Sequence, residues 1–306
     1  MATIAEVAVS SPLAWRAHDH FRRFAWGVLG WNMLVVLWGA YVRASGSGAG
    51  CGSHWPLCNG VVVPRAPQLA TVIEFTHRMT SAVALLAVAA LCFWAFRAFP
   101  TGHVVRRTAA WSFGFLLAEA LLGAGLVLLN YVDQNASVGR AIYLSAHLVN
   151  TQLLLAMLTL TAWFAGHPWA GRRSGLIAAT LPIALAVSVT GAIAALGDTL
   201  FPSTSFAAGF QQDFSTTAHF LLRLRVIHPI LAGCAGAFFL AAALSVPAAK
   251  ASRWAVFLVI LQLCAGGINL LLLAPVWLQL VHLLLADSLW IALVILTYSL
   301  PRPLQT

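Results

Sequence analysis

Apolar residues in this chain do not alternate with polar ones at a strand period. They run in eight long blocks, over 24–42, 73–96, 109–129, 141–165, 175–196, 226–245, 254–273 and 276–300. Each block is close to the roughly 20 mostly apolar residues that cross a bilayer's hydrocarbon. A lone segment in lipid can satisfy its backbone N–H and C=O groups only internally, so each block predicts a transmembrane helix. The pattern predicts an all-α membrane protein with eight transmembrane helices. Residues 1–23 hold no apolar stretch of signal-peptide type and are expected to form a short tail. The connections 43–72 and 197–225 are long and punctuated by Pro and Gly, and both fall on one membrane face. The links on the other face are short.

Composition agrees with lipid as the solvent: 61% of residues are hydrophobic and 8% are charged, more apolar surface than a soluble domain can bury. Charge then orients the chain. The short-link face carries Arg16, Arg22, Arg23, Arg97, Arg106, Arg107, Arg172, Arg173, Lys250, Arg253 and Arg302. The long-loop face carries Arg43, Arg65, Arg78, Arg140, Arg223 and Arg225. The richer side belongs in the cytoplasm, so both termini are expected there, with the chain in the inner (plasma) membrane. Basic residues flanking spans account for the net charge of +9 without a nucleic-acid partner.

The two halves repeat one another. Glu119-Ala-Leu-Leu-Gly123 in the third span is matched by Gln262-Leu-Cys-Ala-Gly266 in the seventh. Spans two, four, six and eight each carry one early histidine: His77, His147, His228 and His282. Both halves start on the same face, which predicts two tandem pseudo-symmetric four-helix bundles, 24–165 and 174–300, related by an axis along the membrane normal.

Ionisable or metal-binding side chains inside spans are costly, and four at equivalent places point to function rather than to four separate structural bonds. At ~1.5 Å rise per residue, all four imidazoles should lie within about 10 Å of the long-loop interface. Facing histidines in a bundle can ligate the iron of a b-type haem. Two such sites side by side in one leaflet favour lateral electron exchange over a wire stacked across the bilayer. The histidines sit far apart in sequence with no His-x-x-x-His pair, unlike a zinc site. Edge arginines, among them Arg43 and Arg78, could pair with propionates or simply anchor the interface.

The densest local motif is Ile73-Glu74-Phe75-Thr76-His77-Arg78. Glu74 and His77 share a helix face. Glu74 can act on substrate, move protons or stabilise a cation there, or can serve as a helix-start acid paired to Arg78. Upstream lie Gly39-Ala-Tyr-Val-Arg43-Ala-Ser-Gly46-Ser-Gly48 and Cys51-Gly-Ser-His-Trp-Pro-Leu-Cys58. Cys51 and Cys58, in a loop facing an oxidising compartment, can pair. As a structural clip the closure contributes about 2.5 kcal/mol in the chain-entropy model, and a redox-active pair is the other reading. Cys92, Cys234 and Cys264 read as small apolar fillers inside spans.

From Gly39 to Arg78 the chain resembles the first half of the haem A synthase family. The eight spans and four histidines extend the likeness over roughly 24–300. The resemblance implies an oxidoreductase that converts a methyl group of haem O to formyl in two successive steps, giving haem A for terminal oxidases. It implies that His77 and His147 flank the substrate haem, that His228 and His282 hold a resident haem b, and that Glu74 is the catalytic acid. It implies a Cys51–Cys58 pair in the outer loop. The implied partners are haem O, a redox protein and the lipid membrane, with room for an oligomer; the low solubility of haem O adds the farnesyl-transferring haem O synthase as an expected contact. Three features depart from the family pattern: Pro229 follows His228 where arginine is frequent, the second long loop has no cysteine pair, and Glu119 replaces a common glutamine. The readings left beside the synthase are a di-haem cytochrome that only transfers electrons, a haem transporter or chaperone, and an unrelated polytopic transporter.

Overall fold

The computed structural model describes residues 12–167, 174–247 and 249–299. The expected tail up to residue 11, together with Arg172, Arg173, Leu300 and Arg302, lies outside the described residues. Among these the fold is all-helical, and eight helical stretches are long and apolar enough to span a membrane. The first half comprises α1 (Pro12–Ala44), α2 (Leu69–Ala98), α3 (Val104–Leu128) and α4 (Val138–Phe164). The second comprises α5 (Gly175–Ala178), α6 (Thr180–Leu200), α7 (Phe206–Asp213), α8 (Phe220–Arg225), α9 (Ile227–Leu244), α10 (Lys250–Leu271) and α11 (Val276–Tyr298). The helix of α1 thus begins well ahead of its apolar block, inside the segment expected to be a tail.

Two spans are broken, each for the same reason. Proline lacks an N–H and its ring collides with the carbonyl four residues earlier. Pro182 sets that collision at Ala178, the last residue of α5, and Pro229 sets it at Arg225, the last residue of α8. The sixth span starts at Phe220, so Pro229 lies in its interior rather than near a tolerant helix start. Ser137 caps α4 by accepting the Arg140 N–H at 3.2 Å. Pro100 follows the C-cap of α2, where the chain turns extended.

Within each half, sequential helices pack on one another and the last closes on the first, giving two four-helix bundles. The halves meet through α1, α4, α6 and α11. A core of Leu91, Leu154, Leu155, Leu158, Trp290 and Val294 crosses that boundary. Embedded in it is a buried polar group. Gln152 Nε2 donates to Asp287 Oδ1 at 2.8 Å, and Trp290 Nε1 donates to the Gln152 carbonyl at 2.7 Å. Gln152 follows His147 by five residues and Asp287 follows His282 by five, so duplicated positions meet at the pseudo-symmetry axis. Asp287→Asn should be tolerated, because an amide oxygen still accepts from Gln152. Asp287→Leu strands that donor at a cost of about 1–3 kcal/mol, read as a lower melting midpoint in detergent.

The long loop after α6 holds an element too short for hydropathy to reveal. In α7, Phe206 and Phe210 lie on one exposed face, with Phe214 just beyond. Its other face is fixed by Gly209 against Ser203 and by Asp213 to Arg225. Cys234 and Cys264 are exposed rather than buried as packing fillers.

Candidate functional site

The four histidines occupy matched places. Each lies roughly 9–14 Å along its span from the long-loop end, at ~1.5 Å per residue. His77 on α2 and His147 on α4 are close enough to interact electrostatically, and so are His228 on α9 and His282 on α11. The fold therefore brings the histidines together in two pairs, one per half.

Every ring faces a glycine of the preceding span. A Cβ on Gly39 would lie 2.9 Å from His77 Cε1, one on Gly191 2.9 Å from His228 Cε1, and one on Gly266 3.0 Å from His282 Cε1. At Gly123 the His147 ring is 4.0 Å away. Gly123 and Gly266 stood out as part of the repeat. Gly39 and Gly191 carry a signal only when each is paired with the histidine of the following span.

Several ring nitrogens have no conventional partner. The Nδ1 atoms of His77 and His282 are buried and make no hydrogen bond. His147 Nδ1 lies 3.2 Å from Glu119 Oε1, without the alignment of a full hydrogen bond. His228 Nδ1 is 3.1 Å from Thr190 Oγ1, and His282 Nε2 is 3.3 Å from Gln262 Nε2. Buried polar atoms without partners call for an explanation, and facing imidazole pairs on side-chain-free backbone have the donor chemistry to grip a planar iron macrocycle. Among the described residues no three His, Cys, Asp or Glu side chains converge as a metal centre.

Around His77 the long loop folds down onto the helix. Cys51 and Cys58 form a disulfide. The Cys51 N–H donates to Glu74 Oε2 at 2.7 Å, and Arg78 donates to Glu74 Oε1 through Nε at 3.2 Å and Nη2 at 2.5 Å. Arg78 Nη1 also donates to the carbonyls of His54 and Leu57, both at 2.6 Å. Glu74, 3% exposed, thus has both oxygens engaged by donors. Three residues before His228, the matching position is Arg225, held by Asp198 at 2.9 Å and Asp213 at 2.5 Å. The duplicated sites have opposite charges at the same place.

The other edge arginines are also engaged by protein. Arg43 reaches across the half boundary, donating to the Ala195 carbonyl and Thr199 Oγ1 at 2.8 Å and to Gln279 Oε1 at 3.0 Å. Arg140 donates to the carbonyls of Asp133 and Asn135, and Arg223 to that of Thr216. Geometry gives these cations loops and helix ends to hold.

A family model for COX15-CtaA, described as cytochrome oxidase assembly protein, matches residues 22–294. The chain belongs to this family. Among its relatives, a protein of Thermus thermophilus named protoheme IX farnesyltransferase is 48% identical over 289 residues, covering 90% of this chain and 48% of the relative. The chain therefore spans about half the length of that protein. A heme A synthase of Exiguobacterium sibiricum is 32% identical over 208 residues, 66% of each chain. A heme A synthase of Bacillus cereus is 43% identical over 95 residues, 31% of this chain. The paired histidines and the Glu74 cluster thus lie in a chain of this family whose eight long apolar helices make it a multi-pass membrane protein.

Proposed function

We propose that this chain oxidises a methyl substituent of haem O to a formyl group, producing haem A for a terminal oxidase. In this reading haem O is the substrate, gripped between His77 and His147, and a resident haem b sits between His228 and His282. One observation carries it: of the two sites, only the first sets a buried carboxylate one helical turn ahead of an imidazole. The family and its heme A synthase relatives support the same assignment.

Methyl to formyl removes four electrons in two stages, through an alcohol and a gem-diol that loses water. Bound haem b supplies one-electron transfer between the first-half site and an external redox partner. The chain's own groups do the rest. His77 and His147 fix the substrate in the bundle, and the packed helices exclude bulk water. Glu74 takes up the proton released as the substrate is oxidised, with Arg78 and the Cys51 N–H holding its oxygens in place. Arg78 ties that carboxylate to the disulfide loop, and Arg43 joins the first half to the helices of the second site.

The substrate is greasy, and handing it over within the membrane favours contact with the enzyme that attaches the farnesyl group. That the Thermus relative carries a farnesyltransferase name on a chain twice as long supports such a partnership. The arginine and lysine distribution supports both termini in the cytoplasm and residence in the inner membrane.

The test is product analysis. Cofactors are extracted from haem O-producing membranes with and without this chain and separated by mass. Haem A is expected only where the chain is present. Haem O left unchanged beside bound haem b would leave an electron-transferring cytochrome or a haem carrier instead. His228→Ala or His282→Ala should lose the resident haem b while the helical fold persists. An unchanged pyridine-haemochrome yield would remove that ligand assignment.

A further inference from the structure

The two halves differ at a second matched position. Glu119 on α3 lies four residues before Gly123, and Gln262 on α10 lies four before Gly266. Around Glu119 two side chains donate and one imidazole nitrogen approaches. Asn150 Nδ2 donates to Oε2 at 2.5 Å, Thr151 Oγ1 donates to Oε1, and His147 Nδ1 lies 3.2 Å from Oε1. Asn150 is itself anchored by a bond from its Nδ2 to the Phe115 carbonyl at 2.9 Å. Two donated hydrogen bonds, one to each oxygen, suit a carboxylate, and the imidazole Nδ1 lies alongside. In the second half the neutral Gln262 meets the His282 ring at Nε2, its own Oε1 has no hydrogen-bond partner, and His282 Nδ1 has none either.

A carboxylate beside Nδ1 of an imidazole keeps the proton on that nitrogen, leaves Nε2 as the lone-pair donor, and makes the ring a stronger donor to a metal. The Nδ1 of His282 has no such carboxylate beside it. We infer that Glu119 is a positioning residue for His147, fixing its tautomer and strengthening its donation, so that the first-half haem is held at a lower reduction potential than the second-half haem. This rests on the reading that His147 ligates the first-half haem. The consequence is directional: one-electron transfer from the first-half iron to the second-half iron runs downhill. Glu119 adds to Glu74 a second way in which duplicated sites have become chemically unlike.

The test is a potentiometric titration of the full chain, purified from membranes with its haems bound and followed in the α-band. Glu119→Gln is expected to raise the lower midpoint and leave the higher one in place. Gln262→Glu is expected to lower the higher midpoint and leave the lower one in place. Wild-type midpoints in Glu119→Gln with both haems retained would overturn the inference. Should Glu119→Gln lose haem, Glu119→Asp supplies the readout: it keeps the charge at shorter reach, and a lower midpoint raised above wild type with both haems retained supports the role, while a wild-type midpoint refutes it. Loss of haem from both halves in Glu119→Asp would mark a merely structural role and refute it. His147→Ala separates the premise from the inference. If it retains both haems with unshifted midpoints, the ligand reading fails. If it loses one haem while Glu119→Gln shifts nothing, only the present inference fails.

Discussion

Gly39→Val should empty the first-half site and leave the second loaded, and Gly191→Val should do the reverse. Both glycines put bare backbone where an imidazole of the next span lies, with room for no Cβ: 2.9 Å to the nearest ring atom in each case. That atom belongs to a ring whose orientation decides which nitrogen can reach iron, so the neighbour cannot give way without cost. Overpacking of this kind costs about 1–3 kcal/mol, and here the expense falls on the ligand's rotamer rather than on the distant core. The helices should persist, because each glycine lies within a long span stabilised along its whole length. The check is haem stoichiometry by pyridine haemochrome, with far-ultraviolet circular dichroism for the helices. Loss of both haems from either variant would mean that the sites are not independent. Retention of both would mean that the rings do not need this contact.

Glu74→Gln should abolish conversion of haem O while both haems stay bound. The amide can still accept from the Cys51 N–H, so the loop keeps one of its anchors, but the negative charge facing Arg78 is gone. A positioned proton acceptor contributes about 10²–10⁴-fold to rate, and a loss in that range is expected in the yield of haem A. Glu74→Ala should show the same loss with an added effect on the loop, because the Cys51 amide is then buried without a partner. Mass analysis of extracted haems measures the first effect and proteolytic sensitivity of the 45–68 loop measures the second. Haem A at the wild-type rate in Glu74→Gln would confine this carboxylate to holding Arg78.

The spans and the paired histidines were legible because both depend on local pattern. About 20 apolar residues must be a helix in lipid whatever their neighbours, and an even spacing of histidines at one end of alternate spans survives small errors in boundaries. The breaks at Ala178 and Arg225 were less legible. Their cause, Pro182 and Pro229, is visible, but its effect depends on where each helix begins, and the sixth span begins earlier than its apolar block. Short α7 escaped because eight residues carry too little periodicity beside the long spans. The contacts between halves could not be read at all. Arg43 finds Thr199 and Gln279, and Gln152 finds Asp287, across more than a hundred residues of chain, and nothing local encodes such partners. The glycine cradle lies between: each member is evident in the sequence, while the pairing of a glycine with a ring belongs to the packing.

The Gln152–Asp287 contact constrains how such a molecule could be assembled from separate bundles. Two copies of the second half, docked as homodimers about the same axis, would set carboxyl against carboxyl in a dry seam. Two copies of the first would set amide against amide and forgo the carboxyl acceptor. Only the unlike combination offers a donor to an acid, so discrimination against self-pairing is written into one residue of each bundle. Bundles expressed as separate polypeptides should accordingly recombine as heterodimers, and exchanging Gln152 and Asp287 between them should preserve that choice.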